Sequence, residues 1–439
     1  MNESTRNVDG LEIPVGRPGL PDDAYCQRMN RATDVVRAVM EPHGGHVTHS
    51  PLGAGWSSDI DVYFASGRSA AMAAARDAGW VSLDDILGRL GYPGRGRWAV
   101  VESGQVLAKA DIEAGAVPDP IRALQARIER RHGVTLREAL EIRHLARSNS
   151  PDSIADRATL AAAAAVEADL GGNELSEWRE TNEAEPQSTR LPSRRSFPRF
   201  GRSLRPRLRV ALSGVDGAGK SSLVDGLGEI FDVCGLTWSV VWTRPGMRLR
   251  LLEGLAGVAK KLLRVTDDGL ADLASGTSPK EVRSRRGVLG WVWSVLVTFA
   301  YTWDVWRRTL SAKGNVVIYD RHHLDAVATT EAFYDGVDTR FQLWLIRRLV
   351  PRADATIWLD VPADIAAVRK PDDVFNQRMI RLQIDRYQAN ADSFDTLIRI
   401  DGTESPRSVV LTAFRSISDA LAGQKPSRWT TLVSWVRSR

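Results

Sequence analysis

A glycine-rich segment followed by a lysine and two serines carries the residue types that most directly indicate chemistry in this chain. Residues 214–222 read GVDGAGKSS, with the spacing G-x-x-x-x-G-K-S. Such a loop wraps backbone N–H groups around phosphate oxygens, while its lysine reaches the terminal phosphates and its first serine binds Mg²⁺. The segment therefore predicts a site for ATP and Mg²⁺, made of the following residues: Gly214, Asp216, Gly217, Ala218, Gly219, Lys220, Ser221 and Ser222.

The elements that flank this loop are the ones its function requires. Residues 208–212 are predicted to form a buried strand, and apolar residues at helical spacing predict a helix over 221–231. A loop between a strand and a helix brings the positive end of the helix dipole toward a bound phosphate.

From residue 207 onward, strand-like and helix-like segments alternate. This alternation is typical of a parallel sheet covered by helices, so the predicted fold class of this half is α/β. In such sheets, ligands bind at the carboxyl ends of the strands. Five strands are predicted, at 208–213, 237–242, 315–319, 355–360 and 397–400.

Four segments follow one another as they do in thymidylate kinases: GVDGAGKSS at 214–222, TRPG at 243–246, VIYDRHH at 317–323 and IWLDVPADIAAVRK at 357–370. Over about 207–422 the chain resembles the thymidylate kinase-like proteins often found among bacterial surface-polysaccharide genes. The resemblance implies a P-loop kinase with a five-stranded parallel sheet. It also implies transfer of the γ-phosphate of ATP to a nucleoside monophosphate such as dTMP.

The resemblance also implies roles for individual residues. Lys220 and Ser221 match the donor-phosphate and Mg²⁺ groups, and Asp216 resembles the family carboxylate that approaches the acceptor sugar. Asp320 follows the third strand, where its carboxylate would hold Mg²⁺ or its water. Arg321 would direct two N–H groups at the acceptor phosphate.

Further candidates line the acceptor site and a short lid. Arg244, after the second strand, is a second clamp on the acceptor, and His322 is a wall of the acceptor pocket. Arg369 and Arg378 are candidate catalytic arginines, because a cation near the γ-phosphate neutralises charge in the transition state. For these three arginines an ordinary surface role stays open as the alternative.

Two positions differ from thymidylate kinases. The family glutamate between Arg244 and Pro245 is missing, and His322, His323 and Asp325 stand where the family has an aromatic residue and a serine. These differences leave the identity of the acceptor open.

The N-terminal half carries an acidic motif. Residues 53–64 read GAGWSSDIDVYF, which places a glycine-rich turn before a strand with Asp59 and Asp61 on the same face. Two carboxylates on one face hold the divalent metal that accompanies nucleotide phosphates.

The segments around this motif are predicted as a helix over 24–40, a helix over 68–78 and a hairpin over 98–112. Together they resemble a smaller α+β domain, the nucleotidyltransferase of the polymerase-β type. The resemblance implies a third metal-binding carboxylate, for which Asp111 is the best placed and Glu102 the substitute. A folded domain without catalysis is the alternative.

The length of 439 residues predicts two or three domains. With two cysteines, neither a disulfide framework nor a Cys-based zinc site is expected, and the N-terminus has no signal-peptide pattern, which favours the cytoplasm. The net charge of +5 is concentrated in short tracts, so sequence-specific binding of nucleic acid is not expected. The predicted division is a nucleotidyltransferase-like domain with a helical cap at 1–171, a flexible basic linker at 172–206, the P-loop domain at 207–423 and an aromatic, basic tail at 424–439.

An uncharged apolar segment, GVLGWVWSVLVTFAYTW at 287–303, lies between the second and third predicted strands. It is shorter than the ~20 residues that span a bilayer, and it interrupts a single sheet, so a transmembrane helix is not expected. A buried helix that also forms a homodimer face is one interpretation, by resemblance to thymidylate kinases. Docking on the inner, anionic face of a membrane is the other, because tryptophans and basic residues lie nearby and in the tail.

The sequence thus predicts a cytoplasmic, Mg²⁺- and ATP-dependent nucleotide kinase linked to surface-polysaccharide synthesis. One rival is an ATP-binding regulatory or scaffold protein that phosphorylates nothing. The other is a nucleotidyltransferase whose activity resides in the N-terminal domain.

Overall fold

The computed structural model describes residues 5–8, 11–14, 21–50, 59–92, 96–118, 141, 144–145, 207–243, 288–333, 338–369, 377–394 and 396–422. The chain divides into two compact units, one drawn from residues 1–83 and 94–200 and the other from residues 84–93 and 201–439. The predicted linker at 172–206 and the tail at 424–439 lie outside the described residues, as does nearly all of the segment from 119 to 171, where the helical cap is expected.

The first unit is built around a mixed five-stranded sheet in the order β3-β4-β7-β6-β5. Only the central pair, β4 with β7, is parallel among these strands. Its elements are β1 (Thr5–Val8), β2 (Leu11–Pro14), α1 (Asp23–Met40), β3 (Gly45–Thr48), β4 (Ile60–Phe64), α2 (Arg68–Asp77), β5 (Val81–Ser82), β6 (Arg97–Glu102) and β7 (Gln105–Ala114). A short helix, α3 (Asp84–Arg89), groups with the second unit.

The alternation in β4 decides which face of this sheet is apolar. Ile60, Val62 and Phe64 are almost fully buried and belong to the core cluster that α1 and α2 cover. Side chains alternate along a strand, so Asp59 and Asp61 lie on the opposite face. The predicted hairpin over 98–112 is present as β6 and β7, and Ser103 and Gly104 turn the chain between them with positive φ values, which is typical of a tight hairpin turn.

The second unit contains an all-parallel five-stranded sheet in the order β12-β11-β8-β10-β9. The five predicted strands are confirmed, with ends that differ by at most one residue. The elements are β8 (Leu208–Ser213), α4 (Lys220–Val233), β9 (Trp238–Trp242), α5 (Val288–Ser311), β10 (Val316–Asp320), α6 (His323–Phe333), α7 (Arg340–Leu349), β11 (Ala355–Asp360), α8 (Ala363–Arg369), α9 (Gln377–Ala391), β12 (Leu397–Asp401) and α10 (Pro406–Ala422).

The order of these strands creates a crevice next to β8. The chain runs from β8 outward to β9 and β10 on one side and to β11 and β12 on the other. In open α/β sheets, ligands bind outside the carboxyl ends of the strands where the strand order changes direction. The end of β8, between β10 and β11, is therefore where this fold favours a ligand site.

The apolar segment predicted over 287–303 forms the longer helix α5, which has two unlike faces. Val297, Tyr301 and Val305 are buried, whereas Trp303 is 60% exposed. The helix continues past Asp304, which forms ion pairs with Arg307 and Arg308 one turn later. Within the described part of the chain, no helix combines the length and the apolar character needed to cross a membrane.

Candidate functional site

The glycine-rich loop occupies the turn between β8 and α4, at the position where the sheet favours a ligand. Helix α4 begins at Lys220, and Gly219 at its N-cap is in the left-handed region with φ of 95°. Gly217 has φ of 84°, and a Cβ atom there would lie 2.3 Å from the carbonyl oxygen of Ala366. A larger residue at 217 would therefore have to displace both its own backbone and α8.

The side chain of Lys220 turns back over the loop from the first position of α4, and the residue is only 7% exposed. Its Nζ donates hydrogen bonds to the carbonyl oxygens of Gly214 at 2.7 Å and Val215 at 2.8 Å, and it lies 3.9 Å from Oδ1 of Asp216. Ser221 and Ser222, at the start of α4, are exposed. The loop thus holds its cation by carbonyl oxygens and presents two hydroxyls at a helix N-terminus.

A buried ion pair joins the loop to the end of β10. Nη2 of Arg321 donates to Oδ1 of Asp216, and both side chains are about nine-tenths buried, at 8% and 11% exposed. Arg321 has φ of 71°, which is uncommon for a residue with a side chain. Its backbone is fixed in that conformation on both sides: its N–H donates to Leu212 at 3.0 Å, and its carbonyl accepts the hydroxyl of Thr243 at 2.6 Å. Strained backbone of this kind clusters at functional sites.

Asp320, the last residue of β10, has a carboxylate oxygen without a partner. Its Oδ1 is buried and receives no hydrogen bond within the described structure. Burial raises the pKa of this carboxyl, Lys220 lowers it and Asp325 raises it further. An unpartnered buried oxygen beside the loop lysine is a ready acceptor for a cation or its water.

Two residues that the sequence reading did not assign to the site complete this polar network. Nη1 of Arg321 lies 4.0 Å from Oδ1 of Asp325, which also accepts the hydroxyl of Tyr387 at 2.8 Å. Asp325 is fully buried and Tyr387 is 1% exposed. In the sequence, Asp325 is marked only by its difference from thymidylate kinases, and nothing in the residue pattern of α9 distinguishes Tyr387.

The histidines after Arg321 lie in the interior. His322 is fully buried, its ring packs 4.2 Å from that of Tyr319, and neither ring nitrogen has a hydrogen-bond partner in the described structure. Burial, the neighbouring His323 and Arg209 lower the pKa of His322 well below its usual value. Burial also lowers the pKa of His323 to about 4, and its Nε2 lies 3.1 Å from the carbonyl oxygen of Ile346. Both rings are therefore neutral near pH 7, and His322, the predicted wall of the acceptor pocket, is fully buried.

The candidate lid arginines are only partly described. Arg369, at the end of α8, donates from Nη1 to the carbonyl oxygen of Gly402 at 2.8 Å. It lies one helical turn after Ala366, whose carbonyl faces Gly217. Arg378 is in α9, but its side chain lies outside the described part, and Arg244 is wholly outside the described residues.

The predicted carboxylates of the first unit come together on one face of its sheet. Asp61 in β4 is paired in register with Asp111 in β7. Lys109 is also in β7, and its Nζ lies 3.2 Å from Oδ2 of Asp59 and 3.2 Å from Oδ2 of Asp111. The acidic motif at 53–64 does not indicate Lys109, although the spacing of two between Lys109 and Asp111 in a strand places both side chains on the same face.

This cluster has a distinctive charge balance. Burial raises the pKa of Asp61 to about 7, with further increases from Asp59, Asp111 and Glu113 and an opposing effect of Lys109. Burial also raises the pKa of Asp111. Burial lowers the pKa of Lys109, but the two flanking carboxylates outweigh it and the net shift is upward. Glu102, the substitute third carboxylate, instead forms an ion pair with Arg31.

No group of three or more His, Cys, Asp or Glu side chains in the described residues has an arrangement that could hold a metal ion as it stands. In the first unit, the Lys109 ammonium supplies the positive charge between Asp59 and Asp111. In the second unit, the predicted Mg²⁺ ligands are one carboxylate, that of Asp320, and one hydroxyl, that of Ser221.

Neither a search of protein-family models nor a search of curated proteins finds a match to this chain.

Proposed function

We propose that the second unit is an ATP- and Mg²⁺-dependent kinase that transfers the γ-phosphate to a nucleoside monophosphate of the dTMP type, in the service of surface-polysaccharide synthesis. The observation that carries the proposal is the meeting of the glycine-rich loop with Asp320 and Arg321. These groups lie at the carboxyl ends of the adjacent strands β8 and β10. Phosphoryl transfer needs positioned cations and a metal-binding carboxylate rather than a covalent intermediate. Lys220 and Arg321 would supply the cations, and Asp320 would supply the carboxylate.

The loop suits the phosphates of ATP. Its backbone turns through Gly217 and Gly219 into the N-terminus of α4, which favours negative charge. Lys220 is already directed into the loop by two carbonyl oxygens. Phosphate oxygens would replace these carbonyls as stronger, charged acceptors for its ammonium group.

The donor atoms near the loop also fit Mg²⁺, a hard cation that prefers oxygen and keeps several waters. The Ser221 hydroxyl and the unpartnered oxygen of Asp320 would hold the ion directly or through water. When bound, the ion would neutralise charge on the terminal phosphates. Burial raises the pKa of Asp320, and a bound cation would oppose that shift by favouring the ionised carboxylate.

The ion pair between Arg321 and Asp216 indicates how an acceptor would be recognised. The guanidinium can offer N–H groups to a phosphate while Asp216 accepts from the acceptor sugar. An acceptor that carries a phosphate and a sugar hydroxyl would thus bind Arg321 through its phosphate and Asp216 through its hydroxyl. In this proposal, Arg321 and Asp216 bind the sugar and phosphate end of the acceptor, and other residues bind its base.

The test is to incubate the purified full chain with Mg²⁺ and ATP and a panel of nucleoside monophosphates that includes dTMP, and to follow ADP formation. Wild type is compared with Lys220→Ala and with Lys313→Ala, whose lysine is exposed outside the loop. We expect acceptor-dependent ADP formation that Lys220→Ala lowers by at least about a hundredfold and Lys313→Ala leaves unchanged.

Two results would reject the kinase proposal. One is full activity in Lys220→Ala. The other is tight ATP binding without turnover on any acceptor, which would favour the regulatory or scaffold alternative.

A second candidate function belongs to the first unit, because Asp59, Asp61 and Asp111 meet on one face of its sheet. Three carboxylates there would suit a nucleotidyltransferase, provided that Lys109 withdraws from between Asp59 and Asp111 when Mg²⁺ arrives. The assay is release of pyrophosphate from ATP, CTP, GTP or UTP in the presence of sugar and sugar-phosphate acceptors. Loss of release in Asp61→Asn, with the ADP assay unaffected, would assign the activity to this unit.

A further inference from the structure

Helices α5 and α7 expose an unusual number of large apolar side chains. Along α5, Phe299, Trp303, Trp306 and Leu310 recur at spacings of three and four, so they lie on one face of the helix. On α7, Phe341 and Trp344 are 42% and 55% exposed. Soluble monomers rarely expose contiguous apolar surface of this kind without an interaction partner.

The two helices hold this surface in a fixed arrangement. Nε1 of Trp306 donates to the carbonyl oxygen of Leu349 at 2.6 Å, and the Gln342 amide donates to Ser294 at 2.6 Å. The ring of Trp291 stacks on Phe341, with ring centres 6.0 Å apart. The aromatic face is therefore a preformed feature of the second unit rather than a set of unrelated exposed side chains.

A basic groove adjoins the aromatic face on α7. It encloses about 420 Å³ and is lined by the following residues: Arg340, Leu343, Trp344, Arg347, Arg348 and Arg352. Over Val288–Ser311 and 338–352 the sequence contains six arginines and two aspartates. Both aspartates, Asp304 and Asp338, form ion pairs with arginines of the same helix or turn. The surface therefore carries a net positive charge beside its tryptophans.

We propose that this aromatic and basic surface docks the protein on an anionic phospholipid membrane. The groove beside Trp344 would take lipid phosphates, for which arginine provides paired N–H donors. Trp303 and Trp306 would enter the interface between headgroups and acyl chains, where tryptophan is enriched because one edge of its ring is polar. The protein would lie on the membrane without crossing it.

Charge favours a membrane over a second copy of the chain as the occupant. A symmetric dimer through this face would bring the same patch of each copy together. The basic groove of each copy would then lie in an interface with the same basic surface of the other, and like charges across an interface are unfavourable. An anionic lipid surface complements the same arginines.

The proposal does not depend on kinase activity and is tested by vesicle sedimentation with the full chain. Vesicles of phosphatidylcholine mixed with phosphatidylglycerol are compared with vesicles of phosphatidylcholine alone. We expect binding to the anionic vesicles only, and weaker binding as salt is raised. Arg348→Gln should lower the partition coefficient about fivefold, and Trp303→Gln with Trp344→Gln about tenfold.

Matched controls use residues of similar type elsewhere in the chain. Tyr92→Gln and Arg37→Gln should leave vesicle binding unchanged, because Tyr92 and Arg37 lie outside α5 and α7. Wild type that stays in the supernatant with anionic vesicles would overturn the proposal. Equal losses of vesicle binding in the control variants and in the variants at Arg348, Trp303 and Trp344 would also overturn it. A dimer, seen by light scattering and dissociated by Trp303→Gln while wild type binds no vesicles, would assign the surface to a second copy instead.

Discussion

The hydroxyl of Tyr387 donates a hydrogen bond of 2.8 Å to Oδ1 of Asp325. The other carboxylate oxygen, Oδ2, accepts the backbone N–H of His322 at 3.2 Å. Since Asp325 also faces Arg321, this single carboxylate ties helix α9 to the strained turn after β10. Helix α9 carries Arg378, one of the two candidate catalytic arginines, so the position of this helix determines where the backbone of Arg378 lies.

Tyr387→Phe removes this link and leaves a buried carboxylate with one partner fewer. We expect the free energy of unfolding to fall by about 1–2 kcal/mol. We also expect acceptor-dependent turnover to fall about tenfold, because small displacements of catalytic groups are costly. Urea unfolding and ADP formation measure the two effects. The exposed Tyr92→Phe is the control, and a loss of stability with normal turnover would limit Tyr387 to a structural role.

The buried pair of Arg321 and Asp216 should be strongly coupled. Arg321→Gln removes the nearer of the two counter-charges described for Asp216, so we expect a loss of about 3 kcal/mol in the free energy of unfolding. The double variant Arg321→Gln with Asp216→Asn should cost less than the sum of the two single changes.

A matched ion pair tests whether burial is the cause of that coupling. Arg340 and Asp338 form an exposed pair, with side chains 90% and 53% exposed. Arg340→Gln should cost far less stability than Arg321→Gln, since solvent screens such exposed pairs. Equal losses in the free energy of unfolding for Arg321→Gln and Arg340→Gln, measured with urea, would contradict burial as the cause of the strong coupling.

Gly217→Ala should separate backbone conformation from close packing. The new Cβ would meet the Ala366 carbonyl at 2.3 Å, and the residue would also be held at φ of 84°. Gly235 has φ of 70° with nothing within 4 Å of its Cβ position, so Gly235→Ala carries only the conformational cost of about 1–2 kcal/mol. We expect Gly217→Ala to lose more stability than Gly235→Ala and to weaken ATP binding as measured by calorimetry. Equal behaviour of the two variants would contradict the close approach of α8 to the loop.

Asp61 should make the first unit less stable as pH rises. Burial raises its folded-state pKa to about 7, above its value in the unfolded chain, so the protonated form stabilises the fold. That stabilisation is fully present below about pH 4 and is lost as pH rises to about 7. Asp61→Asn, which resembles the protonated form, should therefore gain stability relative to wild type across this window.

The gain should not exceed about 4 kcal/mol, and solvent near this partly exposed group will reduce it. Thermal unfolding at a series of pH values measures it, with the exposed Asp34→Asn as the control. A difference between Asp61→Asn and wild type that stays constant from pH 4 to 8 would show that Asp61 does not titrate in this range.

The sequence alone predicted several local features in each half of the chain. The apolar runs predicted all five strands of the parallel sheet, because strands buried on both faces must be apolar throughout. The GVDGAGKSS spacing predicted the strand, loop and helix of 208–233, since its glycines and the helical pattern after Lys220 are local signals. Alternation in β4 likewise predicted that Asp59 and Asp61 share a face.

Only the tertiary structure decided which of these residues meet. The pairing of Arg321 with Asp216 spans 105 positions and that of Tyr387 with Asp325 spans 62, and no local pattern specifies partners at such separations. The burial of His322 depends on the rings of Tyr319 and His323 around it, and such burial follows from packing rather than from the motif. Lys109 reaches Asp59 only because β4 and β7 pair in parallel. Local sequence thus determines what each segment can form, whereas strand order and packing determine which charges share a site.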